Sequence, residues 1–117
     1  MSAAVSSDAS SAVLSIAQAD QIATIMQGMA APARVRVLAE LQRQPRTVSE
    51  LGASLEMTQT TLSNHLRVLR ILGLVTTQRD GRFVRYSLHD AHVAELLSAT
   101  LSHAAHVSMS GGIAASS

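Results

Sequence analysis

Apolar residues recur at helical intervals from about Ala12 to Ala30, with Ile16, Ile22, Ile25, Met26 and Met29 on one side. Pro32 marks a fresh start, and Arg34 to Gln44 reads as a second helix with Val35, Val37, Leu38 and Leu41 inward. Thr47 followed by Glu50 forms a capping-box pair that opens a short helix, Val48 to Leu55. Thr58 caps the next helix, Gln59 to Leu72, which turns Leu62, Leu66, Val68 and Leu69 to the core and stops at Gly73. The period then changes from that of a helix to that of a strand. Leu74 to Arg79 and Arg82 to Leu88 read as strands joined through Asp80-Gly81, a two-residue hairpin signal. Val84, Tyr86 and Leu88 alternate with Arg85 and Ser87 across that ribbon. Asp90 begins a last helix running to about Val107. This order predicts a mainly α (α+β) winged helix-turn-helix. It has about five helices, a two-stranded hairpin wing, and an added helix at each end.

The Ser/Ala-rich residues 1–11 and the tail 108–117 are expected to be disordered, around one domain spanning 12–107. Composition refines this picture. Apolar residues make up 47% of the 117, yet Phe83 and Tyr86 are the only aromatics, so Ala, Leu, Val and Ile must fill the interior. A chain this small gains from dimerising through its end helices. There is no Cys, which excludes disulfides and thiolate metal sites. No basic, apolar leader opens the sequence and no run reaches about 18 apolar residues, so a cytoplasmic protein without a membrane partner is expected.

The net charge of +1 conceals a segregation. All nine basic residues are Arg between Arg34 and Arg85, where only four acids oppose them. A basic middle between acidic ends suits a polyanion-binding face. The second helix of the helix-turn-helix supplies the reading element. Gln59, Thr60, Thr61, Ser63, Asn64 and His65 lie on its early, outward part, where short hydrogen-bonding groups reach base edges in the major groove. Arg67 and Arg70 would flank phosphates, and Arg79, Arg82 and Arg85 of the hairpin suit the backbone or an adjacent groove. Double-stranded operator DNA is the partner this predicts.

The last helix carries a different chemistry. Asp90, His92, His103 and His106 are four possible metal ligands, and the three histidines share roughly one face. The eleven residues from His92 to His103 nevertheless span roughly 16 Å of helix axis. Zinc–nitrogen bonds are about 2.0–2.1 Å, so one ion cannot reach both ends of one helix. The pairs meet only if a second copy packs antiparallel, giving two shared sites in a two-fold dimer. One carboxylate and three imidazoles complete a tetrahedral Zn(II) shell. Asp90 can serve as N-cap and as ligand, whereas His89 reads as a solvated loop histidine outside the pattern.

The run from Ala30 to Leu88, with its "P-x-R-x-x-(V/I)-L", "S-x-L-x-x-x-L", "S-x-H-L-x-x-L-x-x-x-G-L-V" and "R-x-G-R-x-x-x-Y-x-L" patterns, resembles the core of the ArsR/SmtB metalloregulatory repressors. The resemblance implies a dimeric winged-helix repressor that holds operator DNA in its apo form and releases it on binding metal. Asp90-x-His92 with His103-x-x-His106 is similar to the C-terminal-helix site of the zinc-sensing and cobalt/nickel-sensing branch. The Cys-bearing site near the helix-turn-helix used by arsenic, cadmium and lead sensors is absent, Val48-Ser49-Glu50 standing there. Nickel-sensing relatives add histidines from their termini, and this chain has none before His65 or after His106. Zn(II) is therefore preferred over Co(II) or Ni(II). By the same resemblance, His103 would donate its second ring N–H to a carbonyl near Gly73, coupling metal to the recognition helix.

Three other classes compete. An effector-independent winged-helix protein would keep the DNA face with incidental histidines. A zinc enzyme lacks support, because no nucleophile constellation, phosphate loop or spare general base accompanies the quartet. A protein-binding module would lack salt-dependent DNA affinity. No small organic ligand is expected.

Overall fold

The structure is a computed structural model that describes residues 13–109. The disordered tail expected at 1–11 lies outside those residues, as do Ala12 and residues 110–117 of the tail expected at 108–117. Eight elements follow in order: α1 (Ile16–Met29), α2 (Pro32–Arg43), β1 (Arg46–Thr47), α3 (Val48–Leu55), α4 (Gln59–Ile71), β2 (Val75–Asp80), β3 (Phe83–Leu88) and α5 (Ala91–Met109).

Local chemistry explains most boundaries. Ser15 caps α1 by accepting from the Gln18 N–H, and the Gln18 side chain returns the bond to the Ser15 N–H. That box starts α1 four residues later than the apolar period suggested. Pro32 occupies the first turn of α2, where its missing N–H costs nothing, so α2 begins two residues earlier than expected. The Thr47/Glu50 box forms at the start of α3 with bonds of 3.2 and 2.9 Å. Thr58 accepts from the Thr61 N–H and starts α4. At the far end of α4, Gly73 takes φ 74°. Its N–H donates to Arg70 O at 3.0 Å, and the Leu74 N–H donates to Leu69 O at 2.9 Å, the paired bonds of a Schellman turn. Ser108 and Met109, expected in the tail, continue α5. Neither Gly nor Pro stands between Ala91 and Met109 to stop it earlier.

The sheet departs from the sequence reading in two ways. It has three strands in the order β1-β3-β2, because Arg46 and Thr47 pair antiparallel with Tyr86 and Arg85. The hairpin turn also sits one residue further along the chain. Asp80 pairs with Phe83, so the turn residues are Gly81 and Arg82, and Gly81 takes φ 65° at the first central position. A glycine with positive φ there is what a type II′ turn requires.

The core is aliphatic throughout. Val37, Leu38 and Leu41 of α2 meet Leu51 and Leu55 of α3, Leu62, Leu66 and Leu69 of α4, and Val93 and Leu97 of α5. Leu74 and Val75 close it from the sheet side. Among the described residues no helix is long and apolar enough to cross a membrane.

Candidate functional site

The helix-turn-helix is fixed from below and open above. Leu62, Leu66 and Leu69 are buried, while Gln59, Thr60, Thr61, Ser63 and Asn64 are exposed on the opposite side of α4. His65 is half-buried at the edge of that surface. Arg67, Arg70, Arg79 and Arg82 are exposed, and among the described residues none of these four forms an ion pair. The expected contact set therefore lies on one helix face and an adjoining hairpin.

Arg85 differs from its neighbours. Its Nε donates to Asp80 Oδ2 at 3.0 Å and its second nitrogen to Glu50 Oε1 at 3.2 Å. Both bonds favour the cation, the Asp80 hydrogen bond most, and push the Arg85 pKa up. The Glu50 carboxyl is held below its ordinary value, chiefly by the Thr47 backbone N–H and then by the Arg85 charge. Arg85 thus ties the wing to the first helix of the helix-turn-helix. A phosphate would have to compete with two carboxylates for it. Sequence reasoning grouped Arg85 with the DNA-facing arginines because Glu50 lies 35 positions away, beyond any local pattern.

The Asp90 quartet divides between the two ends of α5. Asp90 is the N-cap: its Oδ1 accepts from the backbone N–H of His92 at 3.0 Å and of Val93 at 3.2 Å. His89 Nδ1 lies 3.1 Å from Asp90 Oδ2. The His89 bond, followed by the Val93 N–H, holds the Asp90 carboxyl below its ordinary value. His92, with its side chain 90% exposed, places Nδ1 3.6 Å from Asp90 Oδ1. His103 and His106 stand exposed near the other end of the helix. Their rings have no hydrogen-bond partner among the described residues, and no hydrogen bond joins His103 to Gly73.

These donors suit a divalent ion. Two backbone donors occupy Oδ1 and one imidazole occupies part of Oδ2, leaving Oδ2 with a free lone pair. The other three donors are imidazoles facing solvent. Within one chain, no three His, Asp or Glu side chains among the described residues gather at metal-binding distance.

His89 lies exposed in the loop before α5, as the sequence suggested, but it has partners that the sequence did not show. Its ring meets Asp90 and its backbone N–H donates to Leu74 O at 3.0 Å. Adjacency to Asp90 was the available signal. Gln42 was also missed; its side-chain nitrogen donates to Ala94 O at 3.1 Å and Ser98 Oγ at 2.6 Å, pinning α5 to α2.

A further surface adjoins this site. Met26, Met29 and Ala30 of α1, Val35 of α2, and Leu96, Leu97 and Leu101 of α5 line an apolar groove of about 400 Å³. Ile22 and Met26 are 41% and 59% exposed, Leu96 and Leu101 42% and 44%.

Residues 31–77 match the family described as bacterial regulatory protein, arsR family. The chain is 42% identical over 97 residues to the HTH-type transcriptional regulator NmtR of Mycobacterium tuberculosis H37Rv, covering 83% of this chain and 81% of that one. It is 38% identical over 91 residues to a transcriptional repressor SmtB homolog of Synechocystis sp., covering 78% of this chain and 69% of the relative. Among solved structures, a homodimeric winged helix-turn-helix DNA-binding domain from Mycobacterium bovis superposes with TM-score 0.72 at 29% identity, covering 80% of this chain and 89% of that one.

Proposed function

The chain belongs to the ArsR family of bacterial regulatory proteins, transcriptional regulators and not enzymes, and on that premise we propose a homodimeric repressor that holds operator DNA when apo and releases it when Zn(II) binds between its subunits. One observation carries the metal reading. Asp90 and His92 open α5, His103 and His106 close it, all three imidazoles are exposed, and the apolar groove beside them is unfinished. An antiparallel second copy of α5 would cover that groove and bring each pair to its complement.

Each residue set has its task. Gln59, Thr60, Thr61, Ser63, Asn64 and His65 face the major groove, Arg67 and Arg70 position the helix against phosphates, and Arg79 and Arg82 extend the contact through the wing. Arg85 holds the wing in place for them. Two such helices must stand about 34–36 Å apart to meet successive half-sites. Asp90, His92, His103 and His106 hold the ion, which supplies a fixed cross-link between subunits. His103, donating toward the Gly73 carbonyl, would carry that constraint to the end of α4. A coupling of about 1–3 kcal/mol, typical for allostery, would weaken operator binding about 5- to 150-fold.

The test is a titration of the DNA-bound protein with zinc, cobalt and nickel, followed by anisotropy of labelled duplex, together with metal stoichiometry. The reading expects two ions per dimer and release by zinc at the lowest free concentration. Release by nickel or cobalt at lower free metal would reassign the effector. DNA binding indifferent to all three would leave a winged-helix protein without a metal signal.

A further inference from the structure

We propose that His89 is the positioning residue for the metal-binding carboxylate, and that it links Asp90 to the recognition helix within a single protomer by way of Leu74. The proposal rests on the metal-sensing reading above and adds a route distinct from the His103–Gly73 contact, which would have to form anew.

The route consists of hydrogen bonds already present. Leu74 is the last residue of the Schellman turn that closes α4, and its N–H donates to Leu69 O in the last turn of that helix at 2.9 Å. Its carbonyl accepts the His89 N–H at 3.0 Å. The His89 ring in turn meets Asp90 Oδ2 at 3.1 Å. An ionised carboxylate can only accept, so His89 Nδ1 carries the proton. Leu69 and Leu74 are buried, at 0% and 4% exposure. Buried backbone groups cannot exchange a partner for water at low cost, so both Leu74 bonds resist breaking.

Counting lone pairs gives His89 its role. Oδ1 is filled by the His92 and Val93 N–H groups, and the His89 ring fixes which way Oδ2 offers its remaining pair. A carboxylate oriented by a donor of this kind presents a more definite ligand, and removing such a donor typically weakens metal binding about ten- to hundredfold. Asp90 cannot swing freely to meet the ion, because it also caps α5. Adjustment at Asp90 passes to His89 and from there to the residue that ends the recognition helix.

The experiment compares wild type, His89→Ala and His89→Asn as full-length dimers. The asparagine amide reaches the position of Nδ1 and keeps the donor. Co(II) binding is read from its d–d absorption, and release is read with a labelled duplex selected by the apo protein from a random-sequence pool. We expect His89→Ala to bind the duplex within twofold of wild type when apo, to bind Co(II) at least about tenfold more weakly, and to retain DNA at saturating Co(II). His89→Asn should recover both properties. Release from saturated His89→Ala equal to wild type overturns the proposal, as does an asparagine variant no better than alanine. If either variant fails to fold, amide exchange of wild type decides. Zinc should slow exchange at Leu74 and His89, and protection confined to the rest of α5 overturns the proposal. A wild-type protein that keeps its duplex under every metal removes the underlying reading, and this proposal with it. Normal wild-type release beside normal His89→Ala release removes the proposal alone.

Discussion

Gly28 of α1 and Leu72 at the C-cap of α4 occupy one space: a Cβ built on Gly28 would overlap Leu72 Cδ1. The absence of a side chain lets the N-terminal helix lie against the end of the recognition helix. Gly28→Ala need only turn the Leu72 side chain, and alanine's helix preference offsets part of the strain. Its cost should stay below about 1 kcal/mol. Gly28→Leu must push α1 away and should cost about 2 kcal/mol. Urea unfolding at fixed protein concentration checks both, and equal midpoints for Gly28→Leu and wild type would show that α1 is not held there.

Acid should weaken the tie between wing and helix-turn-helix. The Glu50 carboxyl lies below its ordinary value of 4.5, so its stabilising effect is complete above that pH and disappears as pH falls through the lower folded value. Asp90, below its ordinary 3.8, acts in the same direction. Urea midpoints should fall on acidification below about pH 5. Glu50→Gln keeps an acceptor for the capping box but loses the charge facing Arg85, so its pH profile should be flatter. An unchanged profile would remove Glu50 from the acid response.

Asp90 combines two duties that different substitutions separate. Asn caps a helix as well as Asp, but it is a poorer metal ligand. Asp90→Asn should therefore melt near the wild-type temperature while losing metal-driven release, and Asp90→Ala should lose both. His103→Ala should leave apo DNA affinity intact and abolish release. Loss of apo DNA binding in His103→Ala would contradict its placement in the metal site.

The DNA face predicts two distinct signatures. Ser63→Ala or Asn64→Ala should cost about 1–3 kcal/mol on the preferred duplex and relax discrimination at one position. Arg67→Ala or Arg82→Ala should weaken binding to every sequence and lower the salt slope by about 1. Arg85→Ala should lower the salt slope less than Arg82→Ala, since Asp80 and Glu50 already compensate its charge. Equal slopes for the two would return Arg85 to the phosphate contacts.

Glu56, the C-cap of α3 in the helix-turn-helix turn, holds φ 56°. Left-handed backbone costs an ordinary L-residue roughly 1–2 kcal/mol, and asparagine bears it better than glutamate. Glu56→Asn should stabilise the protein by about 0.5 kcal/mol. A lower midpoint in thermal unfolding would indicate that the Glu56 side chain contributes more than its backbone costs.

Much of this architecture was legible in the sequence because its causes are local. The Thr47/Glu50 box, the Thr58 cap and Gly73 each act within four or five residues, and each stands where the pattern put it. The same logic at Ser15 and Gln18 would have fixed the start of α1. Strand β1 escaped because two residues carry no period, and its pairing with Tyr86 and Arg85 is remote. The hairpin turn sits one place further on because Asp-Gly fits a turn with glycine second, whereas Asp80 is retained in the strand by Arg85. The Asp90 quartet was visible as spacing alone. The His89 bonds were not, since the partner of its backbone, Leu74, is brought near only by the fold of the hairpin.

The unfinished groove between α1 and α5 makes abundance a structural variable. If a second copy covers Ile22, Met26, Leu96 and Leu101, which stand half in water, as the proposed dimer requires, the chain becomes more stable as copies find one another and its melting temperature should climb with protein concentration. Under that proposal, occupancy of a two-fold operator would grow more steeply than the number of chains made. A cell would obtain a threshold from nothing more than exposed leucine, isoleucine and methionine.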